Sequence, residues 1–248
     1  MFILNGGILL VTQGKTIAAN QPGFSAIAQG YLPQTAGWVL AIVVVVLLFL
    51  MMLRDRQTKT KYGFALKPIY QDALRTVFFS ILVLFYVLIV NQYNGVQIPV
   101  LILAVTVIIV SYISTGTRFG RYAYAIGGNR EAARLSGINI KKQIFSIFVL
   151  MGTLCGLGGV VLASYVGYGT IAAGQGYELD AIASCVLGGT STLGGSGTIF
   201  GAMVGALIMT SLNTGLQMMN VAPAWQYVLR GFVLVLAVII DVYFKKSN

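Results

Sequence analysis

The sequence contains no histidine and few charged residues, and these shortages restrict the classes of protein it can encode. Asp, Glu, Lys and Arg make up 9% of the 248 residues, whereas a soluble domain carries roughly 25%. Apolar residues make up 57%, so the charged surface that keeps a protein in water is missing and the surrounding solvent must be lipid. With no histidine and six acidic residues, we expect neither a metal site nor a cofactor.

Cysteine is also scarce, and the two that occur, Cys155 and Cys185, have no motif spacing. Both lie inside apolar segments, so we interpret them as small buried hydrophobic residues and expect no disulfide. The net charge of +10 could indicate nucleic-acid binding, but the basic residues form two blocks and a tail between apolar stretches. Because no aromatic residues are interleaved with them as in RNA-binding proteins, we expect no nucleic-acid partner.

Long apolar runs are abundant. A transmembrane helix needs about 20 mostly apolar residues. Five predicted spans meet this requirement: residues 37–53, 76–93, 98–115, 144–166 and 227–244. The expected fold is therefore an all-α integral membrane protein, a polytopic helical bundle that forms a single domain over residues 1–248. Residues 1–11 are apolar but too short to span, and we interpret them as the outer end of a helix.

Positive charge fixes the expected orientation. Of the 16 Lys and Arg residues, 14 lie in segments 54–75, 116–142 and 245–248. Basic loops remain in the cytoplasm, so these three segments, including the C-terminus, are predicted to be cytoplasmic. The alternation of spans then places residues 167–177 outside.

Residues 179–212 form a glycine-interrupted segment that we predict to line a pore. Two apolar pieces, 181–187 and 199–212, are too short to span comfortably, and they flank the run GGTSTLGGSGT at 188–198. Irregular backbone at membrane depth is tolerated where it lines a cavity, and short glycine-interrupted segments point to transport pathways. We expect the glycines to permit close backbone approach. The candidate pathway residues are Gly188, Gly189, Thr190, Ser191, Gly194 and Gly195.

Segment 116–142 contains a predicted short helix, residues 130–136. Asn129 can cap its start, Glu131 lies in its first turn, and Gly137 can end it. A helix of two turns is unstable alone, so it must dock on something. From the residues alone, an ordinary solvated loop is an equal alternative.

Two motifs resemble those of permease subunits of ATP-binding cassette (ABC) importers. EAAxxxG, at Glu131, Ala132, Ala133 and Gly137, is similar to their coupling-loop signature. YAIGGNREAARLSGINI at 124–140 and ELDAIASCVLGGTSTLGG at 178–195 resemble the ribose/xylose/galactoside branch. MMNVAPAWQY at 218–227 looks most like xylose permeases, and the resemblance covers essentially the whole chain.

The resemblance implies the C-terminal half of a roughly ten-helix permease in the bacterial inner membrane, importing a monosaccharide such as D-xylose. The N-terminal half is expected to be missing. The implied partners are a separate ABC ATPase, a second permease copy, and a periplasmic or lipid-anchored sugar-binding protein, besides membrane lipid. The chain lacks a GxxxxGKS/T loop, so we expect a transporter subunit and no enzyme. The implied ATPase-coupling residues are Asn129, Glu131, Ala132, Ala133, Leu135 and Gly137.

Several alternatives stay open. Hydroxyls in the glycine-rich run either bind passing sugar or cap short helices. Glu178 and Asp180, the acidic residues placed outside, either cap a helix, contact the sugar-binding protein, or relay protons in an ion-coupled carrier. Arg230 either pairs with one of them or reaches the headgroups. A membrane-embedded enzyme would need converging catalytic groups that the sequence does not offer.

We predict that a cysteine at Ala172 labels with an impermeant maleimide in intact cells, whereas one at Ala125 labels only after permeabilisation. The reason is the concentration of basic residues in segments 54–75 and 116–142. Both variants are made in a protein in which the native Cys155 and Cys185 have been replaced, so that the introduced cysteine is the one labelled. Labelling of Ala125→Cys from outside would contradict the orientation.

Overall fold

The computed structural model describes residues 2–19, 21–62, 68–170 and 172–246. Residues 63–67 of the predicted basic loop, residue 171 of the predicted external segment, and residues 247–248 of the predicted tail lie outside the described residues. In chain order the elements are α1 (Phe2–Thr12), β1 (Ile17–Ala18), α2 (Pro22–Gln29), α3 (Gln34–Lys61), α4 (Ile69–Asn91), α5 (Ile98–Gly116), α6 (Arg118–Gly128), α7 (Arg130–Leu135), α8 (Ile140–Val166), β2 (Tyr168–Gly169), α9 (Tyr177–Leu187), α10 (Ile199–Met218) and α11 (Pro223–Lys246).

The chain divides into two units, and residues 19–102 form one of them. Its main feature is the packing of α3 against α4. The α3 helix extends beyond the predicted span 37–53, so residues 54–61 of the predicted loop are helical. Arg56 Nε and Asp72 Oδ2 form an ion pair of 2.9 Å that joins α3 to the first turn of α4.

Residues 1–18 and 103–248 form the other unit, which contains both sequence motifs. Here α9 packs against α10 and α11, and α6 packs against α7 and α8. The two short strands pair antiparallel, with Ile17 opposite Gly169.

Within the described residues, six helices are long and apolar enough to cross a membrane: α3, α4, α5, α8, α10 and α11. The expected all-α, polytopic membrane fold is confirmed. The expectation that residues 199–212 are too short to span is wrong, because α10 continues to Met218 and has 20 residues. Polar residues such as Asn213 made the sequence look interrupted, but the Asn213 amide is part-buried and hydrogen-bonded to Asp180.

Glycine residues bring the α9 and α10 backbones into direct contact. Gly205 of α10 lies against the carbonyl oxygen of Ser184, and a Cβ there would also fall 2.9 Å from the Gly188 nitrogen. Gly201, four residues earlier, lies against the carbonyl group of Gly188. Helices in lipid associate through such close van der Waals packing at small residues.

The expectation that both cysteines are buried is wrong for Cys155, which is exposed on α8; Cys185 is half-buried. The thiol is a small apolar group, so it can face lipid as well as protein.

We predict that Gly205→Ala destabilises the permease by about 1–3 kcal/mol, because its methyl group would overlap the α9 backbone. The matched control is Gly215→Ala on the same helix, where an added Cβ meets nothing within 4 Å. That change should be neutral or slightly stabilising, because alanine favours helix over glycine. Thermal unfolding of the purified permease in detergent measures both, and equal melting temperatures would contradict the packing.

Candidate functional site

The predicted coupling loop, residues 116–142, is a compact pair of helices. The chain reverses sharply between α5 and α6, where a Cβ on Gly120 would overlap the backbone of Ser114. At the other end, Gln143 Nε2 in the first turn of α8 donates a 2.7 Å hydrogen bond to the Phe119 carbonyl oxygen. The loop is therefore fixed to the membrane helices on both sides.

The α6 helix was not predicted from the sequence. Gly127 and Gly128, which come just before the predicted short helix, form the last residues of α6. The available signal was the spacing of Phe119, Ala123 and Ile126, an apolar repeat at i, i+4 and i+7.

The short helix α7 is present and has both predicted caps. Asn129 Oδ1 accepts a 3.0 Å hydrogen bond from the Ala132 nitrogen. At the other end Gly137 has φ +82°, a left-handed conformation that favours glycine. Gly137 N donates to the Arg134 carbonyl and Ile138 N to the Ala133 carbonyl, which is the Schellman arrangement. The helix ends at Leu135, one residue earlier than predicted.

Exposure separates the residues of α7 into two faces. Ala133 is only 4% exposed and packs inside its own chain, so this implied coupling residue offers a partner almost no surface of its own. Leu135 is 83% exposed, and Ala132 and Glu131 are exposed too. Glu131 forms a 2.9 Å ion pair with Arg134 at the surface. Leu135 therefore exposes an apolar side chain, and its contact with water is unfavourable unless another surface covers it.

The glycine-rich segment between α9 and α10 begins with a second Schellman arrangement. Gly189 N donates to the Val186 carbonyl, and Thr190 N donates to the Cys185 carbonyl. Gly189 has φ +81° and open space around it, so glycine is required there by backbone conformation. The expected close backbone approach is absent at Gly189 and present at Gly188, where an added Cβ would overlap the carbonyl group of Gly201.

The same segment lies directly on the coupling loop, a contact that the sequence did not predict. A Cβ on Gly127 would fall 2.6 Å from the Gly195 nitrogen, and one on Gly195 would fall 2.8 Å from the Gly128 Cα. Gly194 also faces Gly127, and Gly194 and Gly195 have φ +93° and +74°. The two motifs, which are distant in the chain, are therefore in backbone contact.

Hydroxyl groups in the glycine-rich segment are engaged within the fold. Thr198 Oγ1 accepts a 3.0 Å hydrogen bond from Gly201 N and so caps α10. Ser191 Oγ accepts from Leu193 N at 3.1 Å. Thr192 donates from its nitrogen and its hydroxyl to Asp241 Oδ2, at 3.1 and 2.8 Å. The helix-capping alternative therefore holds for Thr198.

Four of the six candidate pathway residues border one open cavity of about 390 Å³. Its walls are mainly apolar and come from α5, α6, α8, α9 and α10 together with the segment itself. The four residues are Thr190, Ser191, Gly194 and Gly195. Gly188 and Gly189 lie outside this lining, at the end of α9.

The two acidic residues placed outside have different environments. Asp180 Oδ2 accepts from Arg230 Nη1 at 3.3 Å and from Asn213 Nδ2 at 3.2 Å, which joins α9, α10 and α11. Of the two alternatives for Arg230, the structure therefore has the pairing with an acidic residue. Glu178 is exposed. Neither caps the helix, because the N-cap position is Gly176.

Comparison with known proteins places the chain among membrane permeases. The model of the family "Branched-chain amino acid transport system / permease component" matches residues 40–238. The xylose transport system permease protein XylH of Haemophilus influenzae is 41% identical over 242 residues, 97% of this chain and 64% of that protein. XylH of Escherichia coli K12 is 38% identical over 248 residues, 100% of this chain and 63% of that protein.

A third relative, the ribose import permease protein RbsC of Escherichia coli K12, is 44% identical over 147 residues, 59% of this chain and 46% of that protein. The chain spans just under two thirds of the length of the xylose permeases that it matches. No solved structure matches it. On the family match and these identities, the chain is a multi-pass membrane protein of the branched-chain amino acid transport system permease-component family.

Proposed function

We propose that the chain forms part of the pore of an ATP-driven importer for a monosaccharide, and that the sugar is D-xylose. The observation that carries the proposal is the short capped helix α7, which follows α6 in the coupling loop and exposes Leu135. The identity of 41% and 38% to proteins named as xylose permeases supports the choice of sugar.

The partner at α7 is a separate ATPase subunit. A pore without a nucleotide-binding loop of its own needs a mechanical contact through which hydrolysis elsewhere can move it. Glu131, Ala132 and Leu135 offer that contact, since all three are exposed. Asn129 and Gly137 define the two ends of the helix, and Ala133 anchors it to the rest of the loop.

The proposed orientation puts the coupling loop and the glycine-rich segment on the cytoplasmic side of the inner membrane, with the C-terminus. The concentration of Lys and Arg in segment 116–142 supports it. Thr190, Ser191, Gly194 and Gly195 then border the inner end of the translocation pathway, and Gly188 and Gly189 hold the turn that precedes it.

The remaining proposed partners are a second permease copy, an external sugar-binding protein and lipid. The large exposed apolar side chains of α8, such as Phe145, Phe148 and Met151, support burial against lipid or another copy. Glu178 is the acidic side chain that we assign to the sugar-binding protein, because it is exposed and Asp180 is engaged between helices.

An ion-coupled carrier is the less suitable alternative. The buried candidate for a proton relay, Asp180, is engaged in joining α9, α10 and α11 through its ion pair with Arg230 and its hydrogen bond from Asn213.

We predict that Leu135→Asp weakens association of the complete permease with its ATPase about tenfold or more, because a charge replaces the exposed apolar contact. Uptake of D-xylose into proteoliposomes with ATP inside should fall in parallel. The measurements are co-purification of the two subunits and uptake of radiolabelled D-xylose. The matched control is Ile17→Asp in β1, an exposed apolar residue placed on the outer side.

Normal co-purification and uptake by Leu135→Asp would show that α7 is not the ATPase contact. If sugar uptake by the unaltered system requires an ion gradient and no ATP, the ion-coupled carrier is favoured. Uptake of another sugar in preference to D-xylose would correct the substrate alone.

A further inference from the structure

We propose that Tyr124 and Asp241 are positioning residues that hold the glycine-rich segment on the coupling loop, so that movement of α7 is passed to α9 and α10. This inference rests on the proposed function, because it assumes that an ATPase moves α7. It adds the route by which that movement reaches the membrane helices.

The first part of the route is the backbone contact between the coupling loop and the glycine-rich segment. Gly127 and Gly128, which meet Gly194 and Gly195, come immediately before Asn129, the cap of α7. Since no side chain separates the two backbones, there are no rotatable bonds that could absorb a displacement. A shift of the end of α6 must therefore displace the segment or break the contact.

Tyr124 holds the segment from the side of α6. Its hydroxyl donates a 2.9 Å hydrogen bond to the carbonyl oxygen of Gly197, and lies 3.0 Å from Ser114 Oγ at the end of α5. The tyrosine is half-buried, so its bond to Gly197 is partly removed from competing water. It joins the coupling loop to the residue next to the cap of α10.

Asp241 holds the opposite side of the segment from α11. One carboxylate oxygen accepts two hydrogen bonds from Thr192, at 3.1 Å from its nitrogen and 2.8 Å from its hydroxyl. Both the backbone and the side chain of Thr192 are thus fixed to α11. The segment is therefore held at Thr192 and at Gly197, on either side of the glycines that meet α6.

The segment is joined as firmly to the two helices that it connects. The hydrogen bond from Thr190 N to the Cys185 carbonyl fixes its start to the last turn of α9. Thr198 caps α10 at its other end. A displacement of the segment consequently moves the ends of both helices.

The experiment uses the complete permease with its ATPase and sugar-binding protein in proteoliposomes, and measures ATP hydrolysed and D-xylose transported in the same sample. Two variants each remove one hydroxyl: Tyr124→Phe and Thr192→Val. Each has a matched control. Tyr122→Phe removes a hydroxyl on α6 that makes no hydrogen bond to the part of the chain that the structure describes, and Thr192→Ser keeps the hydroxyl at position 192.

We expect both test variants to co-purify with the ATPase and to hydrolyse ATP normally, while sugar transported per ATP falls about fivefold, the effect of losing one typical hydrogen bond. Tyr122→Phe and Thr192→Ser should keep the unaltered ratio. A double variant, Thr192→Val with Asp241→Asn, should be no worse than the more severe single change, because the two residues act through the same contact.

An unchanged ratio in Tyr124→Phe and Thr192→Val would overturn the proposal. So would a loss of ATPase binding or of folded protein in these variants, since that would show a structural role only. Failure of the proposed function has a different signature: the unaltered complex itself would show no ATP-dependent transport.

Discussion

Contact between glycine backbones is the interaction on which the rest of this structure depends. Apolar side chains gain little by leaving lipid for protein, so helices in a membrane must gain their stability from close packing and hydrogen bonds. Gly188, Gly201 and Gly205 let α9 and α10 approach until their backbones touch. Gly127, Gly194 and Gly195 do the same for the glycine-rich segment and the coupling loop. Any larger residue at these positions would separate the elements.

Under the proposed function, this packing gives the two sequence motifs a common mechanical role. The coupling motif contains the helix α7. Among the described residues, its outer face is exposed, as at Leu135, whereas Ala133 on its inner face is buried. The glycine-rich motif joins the ends of α9 and α10. Because the motifs touch, the surface that we assign to the ATPase and the segment that we assign to the pathway form one continuous structure. On this account, the glycine-rich motif serves transmission of movement as much as passage of sugar.

Local patterns in the sequence were sufficient for some of these features. Hydropathy identified α3, α4, α5, α8 and α11, because a membrane span requires an apolar run. Capping chemistry identified α7, since Asn129 and Gly137 act on their immediate neighbours.

Features that depend on residues distant in sequence were not predictable from one sequence. The full length of α10 was missed because Asn213 finds a partner in Asp180, 33 residues away. The burial of Ala133 depends on how α7 packs on the rest of the unit. The contact of Gly127 with Gly195 leaves no trace in composition or spacing, and glycine in both motifs was compatible with a simple turn.

The contact between the coupling loop and the glycine-rich segment is the central claim, and the thermal stability of two neighbouring alanine variants tests it most directly. A Cβ on Gly127 would fall 2.6 Å from the Gly195 nitrogen, whereas a Cβ on Gly128 meets nothing within 4 Å. Both glycines belong to α6, so the helix preference for alanine over glycine acts on both variants. The account predicts that Gly127→Ala lowers the melting temperature of the purified permease in detergent and that Gly128→Ala does not. Equal melting temperatures of the two variants would contradict the contact.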